Sequence, residues 1–119
     1  MHFKRIYGFT VLEQEYETKK QWGGFDMVVG VLTLTLYIAE ANSLKGKRRV
    51  LKSVIDKIKT KFNVSVAEVA KQDQWQLAVI GLSCVSNEQA HANGMLSTVI
   101  EFLERQTNME ILDMQMEFL

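Results

Sequence analysis

Four segments of the chain have the hydrophobic pattern of β-strands, and in three of them hydrophobic and polar residues alternate. The clearest segment is 28–38, where Leu32, Leu34 and Leu36 alternate with threonines. A period of two indicates a half-buried strand. Segments 64–70 and 109–119 alternate too, and in the latter we expect Leu112 and Phe118 on one side. Segment 75–85 is apolar on both faces, which predicts a central position in a sheet.

Two further segments carry apolar residues at helical spacing. Val50, Leu51, Val54, Ile55, Ile58 and Phe62 predict an amphipathic helix over 47–62, and Ser43 is suited to capping it. A second helix is expected from Ser86 to about Gln106. Ser86 and Gln89 have the spacing of a capping box.

The resulting order is strand, helix, strand, strand, helix, strand. With short connections and right-handed crossovers, this order predicts an α+β fold, the ferredoxin-like βαββαβ arrangement. We expect a four-stranded antiparallel sheet with both helices on one face and the other face open. Residues 27–119 would form this single domain.

Residues 1–26 do not fit this pattern. They are interpreted either as an extra hairpin or pairing arm, or as an extension outside the natural protein. Trp22-Gly23-Gly24 is encoded TGG-GGN-GGN, which allows GGAGG, a bacterial ribosome-binding sequence, two codons ahead of Met27. The hypothesis is that Met27 is the natural start, and the glycine codons in the gene test it.

Composition narrows the classes of function. The 119 residues are enough for one domain with a core, and 47% are hydrophobic, which excludes a disordered chain. One cysteine, Cys84, excludes an internal disulfide framework, and two histidines are too few for a soft-metal site. No targeting or membrane-spanning segment is apparent, so we expect a cytoplasmic protein without cofactor or metal. No motif predicts catalytic residues.

Charge is segregated along the chain, although the formal net charge is zero. Residues 40–61 carry eight bases and two acids, whereas residues 62–119 carry two bases and eight acids. A helix start rich in cations is suited to anions such as phosphate. The predicted contacts with RNA phosphates are Lys45, Lys47, Arg48, Arg49, Lys52 and Lys59. The alternative is a solvated helix face.

Three other residues are candidates for a role in binding. Tyr37 ends the first predicted strand and Trp75 begins the third, its expected neighbour, so the two rings would serve either in base stacking or in packing and dimer contact. Glu68 is unusual on a strand between valines. It would either pair with a base of the first helix or serve a loop.

Several stretches of residues 27–119 resemble the YlxP-like family of small bacterial proteins, a domain of unknown function. They are Ser43–Ser53 (SLKGKRRVLKS), Phe62–Val69 (FNVSVAEV), Asp73–Gln76 (DQWQ) and Val85–Asn87 (VSN). The resemblance implies a ferredoxin-like fold and a gene setting beside a translation initiation factor and a ribosome-binding factor. It implies no established activity and no catalytic residue.

These observations predict a non-enzymatic accessory protein that binds RNA or a ribosomal subunit through the basic helix. It would read shape rather than sequence, with no sequence-specific binding to DNA. The rival prediction is a homo-oligomeric interaction module that pairs through the open sheet face, which carries Val31, Thr33 and Thr35. The two are compatible, because a dimer would double the basic surface.

Overall fold

The structure is a computed structural model that describes the backbone of residues 3–6, 9–12 and 21–22, and residues 25–119 in full. Gly23 and Gly24, on which the start-site hypothesis rests, lie outside the described residues. The elements follow in the order β1 (Phe3–Ile6), β2 (Phe9–Leu12), β3 (Gln21–Trp22), β4 (Phe25–Asp26), β5 (Val28–Tyr37), α1 (Leu44–Lys61), β6 (Ser65–Ala70), β7 (Leu77–Ser86), α2 (Gln89–Glu104) and β8 (Glu110–Phe118).

The expected α+β fold, with a four-stranded antiparallel sheet and two helices, is confirmed. Strand β5 pairs antiparallel with β7 on one side and β8 on the other, and β6 pairs antiparallel with β7. In the described part of the chain the sheet continues beyond β8. Strand β2 runs parallel to β8, and β1 runs antiparallel to β2. The alternation of residues 28–119 gave no sign of this extension.

The core lies between one face of the sheet and the two helices. Alternate residues of β5 are buried, from Val28 to Leu36, while the residues between them are half-buried on the opposite face. Both helices contribute to the same cluster of apolar side chains. They supply Leu51, Val54, Ile58, Ala92, Leu96, Val99, Ile100, Phe102 and Leu103. None of the described helices is long and apolar enough to cross a membrane.

Three sequence-based details require correction. The capping box is wrong, because α2 begins at Gln89 with Glu88 as its N-cap and no side-chain cap bond. Trp75 lies outside β7, which begins at Leu77. Leu112 does not share the inward side of β8, because a register shift opposite Thr35 and Leu36 leaves it 53% exposed. The shift is a local bulge, which hydrophobic alternation alone does not reveal.

Candidate nucleic-acid interface

Helix α1 presents a row of cations to solvent along one face. Its N-cap is Ser43, whose hydroxyl accepts a hydrogen bond from the Gly46 amide at 3.0 Å. The opposite face is buried through Leu51, Val54 and Ile58. Five predicted phosphate contacts are exposed on the outer side. We call them the basic stripe: Lys45, Arg48, Arg49, Lys52 and Lys59.

Lys47, predicted to contact phosphate, is instead buried, with no exposed surface. Its ammonium group lies 3.0 Å from a carboxylate oxygen of Glu68 and donates hydrogen bonds to the carbonyls of Lys71, at 2.7 Å, and Leu77, at 3.1 Å. The two carbonyls accept ammonium protons, whereas the contact with Glu68 Oε2 is an ion pair without hydrogen-bond geometry. Lys47 is therefore a structural residue, and the prediction that it binds phosphate is wrong. Of the two roles considered for Glu68, pairing with a base of the first helix is the one observed.

The buried ammonium group anchors the turn between β6 and β7 to the start of α1. Lys71 in this turn has a φ of 64°, a left-handed conformation that is uncommon for a residue with a side chain. The Gln76 side chain donates a hydrogen bond to the Ala39 carbonyl at 3.0 Å. These bonds hold the turn against the loop that precedes α1, and Trp75 in this turn is 55% exposed.

Tyr37 lies in different surroundings from Trp75. It pairs with Leu77 in β7 and with Glu110 in β8, and it lines a cavity of about 290 Å³ together with Glu40 and Glu110. Two carboxylates beside the ring repel phosphates, which disfavours Tyr37 as a stacking platform for RNA. Trp75, which is exposed, is the better candidate of the two for stacking.

One acid interrupts the basic stripe. Asp56 accepts a hydrogen bond from the Lys52 ammonium group at 2.8 Å, and the two side chains are 57% and 78% exposed. The hydrogen bond and the charge of Asp56 raise the pKa of Lys52. Lys52 therefore stays protonated, but part of its charge is compensated within the helix.

An open cavity of about 550 Å³ lies at the carboxyl end of α1. Its lining includes the last cation of the basic stripe, an amide, two hydroxyls and valines: Lys59, Asn63, Val64, Ser65, Ser83 and Val85. Reasoning from sequence missed this cavity, because its residues come from three separate segments. The pairing of Ser65 with Ser83 across β6 and β7 brings them together.

Two further reactive side chains of residues 25–119, Cys84 and His91, lie in separate surroundings. Burial raises the pKa of the Cys84 thiol, so this group is held in its protonated, weakly nucleophilic form. His91 shares a hydrogen bond of 3.0 Å with the Ser86 hydroxyl at an exposed position. Among the described residues, no group of three histidine, cysteine or acidic side chains is arranged to hold a metal ion.

This chain matches a protein family and is similar to a protein of known sequence and to a protein of known structure. A family model described as a protein of unknown function (DUF503) matches residues 29–116. The chain is 35% identical over 77 residues to the "Uncharacterized protein YlxP" of Bacillus subtilis (strain 168), covering 65% of this chain and 84% of that protein. It also resembles a solved structure, the "De novo designed protein Foldit4", at 12% identity and a TM-score of 0.45, over 78% of this chain and 96% of the other.

Proposed function

Since the chain belongs to the DUF503 family of proteins of unknown function, we propose that it is a non-enzymatic, cytoplasmic accessory protein that binds RNA or a ribosomal subunit through the basic stripe of α1. The resemblance to the YlxP-like family drawn from the sequence is confirmed by this match and by the relative in Bacillus subtilis. The family carries no activity of its own into the proposal, so the argument rests on the residues of this chain.

The observation that carries the proposal is the exposed row of cations on α1. Four of them lie in the first three turns, Lys45, Arg48, Arg49 and Lys52. Cations near the amino end of a helix oppose its dipole and weaken the helix slightly. A local cost of this kind is expected where the charges serve binding rather than folding. Phosphates of a nucleic-acid backbone are the ligand that a row of exposed cations fits best.

The mode of recognition follows from what lies around the stripe. Lysine and arginine contacts with phosphates position a nucleic acid without reading its sequence. The exposed ring of Trp75 adds a surface on which one unpaired base stacks. These features support binding of RNA by shape and by single-stranded bases, and they do not support sequence-specific binding of DNA.

We also propose that residues 28–118 form a ferredoxin-like domain. The four antiparallel strands lie across the sheet in the order β8, β5, β7, β6. Counted along the chain from β5, this is the order fourth, first, third, second. The helices α1 and α2 are the two crossovers of a split βαβ arrangement. In this arrangement α1 covers the β6 side of the sheet, so its basic stripe faces away from the core.

The test is co-sedimentation of the full chain with purified ribosomal subunits at low and moderate salt. The double reversal Arg48→Glu/Arg49→Glu is expected to abolish binding at both salt concentrations without lowering the thermal unfolding midpoint, because both side chains are exposed and glutamates near the amino end of a helix do not oppose its dipole. Single reversals of each arginine are compared with Arg105→Glu, an exposed arginine just beyond α2. Unchanged binding of the double reversal would refute the assignment to the stripe.

The second candidate function is a homo-oligomeric interaction module that uses the open sheet face. Val69 and Val85 are 54% and 60% exposed there, on the side away from the helices. Exposed apolar residues on a sheet face are suited to pairing with a second copy. A light-scattering mass above that of the monomer, together with no sedimentation with ribosomal subunits, would favour this function over RNA binding.

A further inference from the structure

The cavity at the carboxyl end of α1 joins the basic stripe to the edge of the sheet. Lys59 is the last cation of the stripe and also lines the cavity. At 1.5 Å per residue, Lys59 lies about 21 Å along the helix axis from Lys45. A strand of nucleic acid that follows the stripe from its amino end therefore arrives at this cavity.

The lining combines the groups that recognise a nucleobase. The Asn63 side chain offers both a donor and an acceptor, and the Ser65 and Ser83 hydroxyls offer both as well. Ser65 and Ser83 are direct partners across β6 and β7, so their side chains project on the same face. Val85, which is 60% exposed, provides apolar surface on which a ring can lie.

The charge of the cavity favours an anionic ligand. Lys59 is exposed, and none of the described residues that line the cavity is acidic. The thiol of Cys84, another lining residue, lies 3.7 Å from the Ala92 carbonyl in α2, which places it on the inner side of the sheet. The ligand-facing chemistry is therefore one cation, one amide, two hydroxyls and apolar surface. The volume of about 550 Å³ lies within the range of small-molecule sites.

We propose that this cavity binds one unpaired nucleotide of a single-stranded RNA segment whose backbone follows the basic stripe. The nucleotide's phosphate would contact Lys59, its ring would lie against Val85, and its polar edge would bond to Asn63 and the two serines. The inference rests on the proposed function and adds to it a preference for single-stranded over fully paired RNA. A base in a duplex cannot enter the cavity without leaving its stack.

The experiment compares two RNA probes on the full chain, a single-stranded oligouridine and a fully paired duplex of the same length, by fluorescence anisotropy. The variant Asn63→Ala/Ser83→Ala removes two polar groups of the cavity and changes no charge. Two lost hydrogen bonds predict a roughly tenfold weaker affinity for oligouridine and an unchanged affinity for the duplex. The control Ser53→Ala/Thr60→Ala trims two exposed polar residues of α1 that do not line the cavity, and it should bind both RNAs like the wild type.

The outcomes separate this inference from the proposed function. If neither RNA binds the wild-type chain, or if Arg48→Glu/Arg49→Glu binds both RNAs normally, the proposed function fails. If the wild type binds, the double reversal does not, and the cavity variant binds oligouridine like the wild type, the inference alone is overturned.

Because trimming Ser83 inside a strand also risks altering the fold, amide NMR of the wild type with uridine 5′-monophosphate provides a second test. Shifts confined to 59–66 and 83–85 are expected. The same shifts with inorganic phosphate alone would overturn the nucleotide assignment in favour of a simple anion site.

Discussion

At the scale of single residues, Lys47 shows how a charged side chain in a basic run can belong to the core. Lys47, Leu51, Val54 and Ile58 recur at intervals of four, three and four, which places the lysine on the apolar face of α1. Its partner Glu68 stands between valines on β6, where a carboxylate without a partner is unfavourable. The spacing of Lys47 in α1 and the position of Glu68 on β6 therefore indicate a buried pair, but only the fold shows that the two residues are partners.

The Lys47 ammonium group is expected to contribute strongly to stability. Lys47→Met leaves the 19%-exposed Glu68 side chain without its partner and removes the donor from two carbonyls. Removal of one partner of a buried ion pair should lower the free energy of unfolding by about 3 kcal/mol, a quantity that urea titration measures. Lys57→Met, at an exposed position of the same helix, is the control and should change this free energy by less than about 0.5 kcal/mol.

A further variant separates the ion pair from the volume of the side chain. Lys47→Met/Glu68→Leu replaces both charges with apolar groups and should recover much of the lost stability, because the uncompensated charge is gone. A single Lys47→Met variant as stable as the wild type would contradict the structural role of this lysine.

At the scale of elements, sequence pattern predicted which segments are strands and helices but misplaced several ends. The ends that were predicted wrongly are determined by contacts with residues distant in the sequence. The residues before β7 are held as a turn by Lys47 and by the bond from Gln76 to Ala39, so Trp75 does not enter the strand. Ser86 accepts a hydrogen bond from the Glu88 amide and bonds to His91 rather than capping α2 as a box. Local spacing does not encode such partners.

Substitution by alanine should have opposite effects at two glycines, one in β5 and one in α2. A Cβ at Gly30 in β5 would lie 3.0 Å from Leu96 Cδ1 and 3.2 Å from Cys84 Sγ, so this glycine lets α2 approach the sheet closely. Gly94 is exposed within α2, and a Cβ there meets nothing within 4 Å. We expect Gly30→Ala to lower the free energy of unfolding by about 1–3 kcal/mol, because the core is overpacked.

Gly94→Ala is the matched substitution and should raise the same quantity by up to about 1 kcal/mol, the difference in helix propensity. Urea titrations of the two variants, measured in parallel, provide the comparison. Shifts of the same sign would show that close packing at Gly30 does not limit the approach of α2.

At the scale of the whole molecule, the sequence predicted the α+β sheet and the charge asymmetry, and it left residues 1–26 open between an extra hairpin or pairing arm, which β1 and β2 form, and an extension outside the natural protein. Alternation in residues 28–119 is long enough to define four strands, whereas β1 and β2 have four residues each. Segments as short as these take a position in a sheet only by pairing with another strand, and here β2 pairs with β8. The candidate cavity was hidden for a related reason, since its polar groups meet only when β6 pairs with β7.

Charge is segregated along the sequence although the formal net charge is zero. The segment 40–61 has a net charge of +6 and the segment 62–119 a net charge of −6. Because the eight acids of residues 62–119 lie outside α1, they repel a nucleic acid that approaches them and favour its contact with the basic stripe. Binding then depends on where a charge lies and not only on the total.

Asp56→Asn tests that dependence on position. The substitution frees Lys52 from its 2.8 Å ion pair and removes the sole acid of α1. One additional phosphate contact should tighten binding of single-stranded RNA at low salt and steepen the plot of log affinity against log salt by about 0.7. Asp113→Asn, on the acidic strand β8, is the control, because it makes the same change in net charge away from the stripe. Equal slopes for the two variants would mean that net charge alone governs binding, whereas a steeper slope for Asp56→Asn alone locates the phosphate contacts on α1.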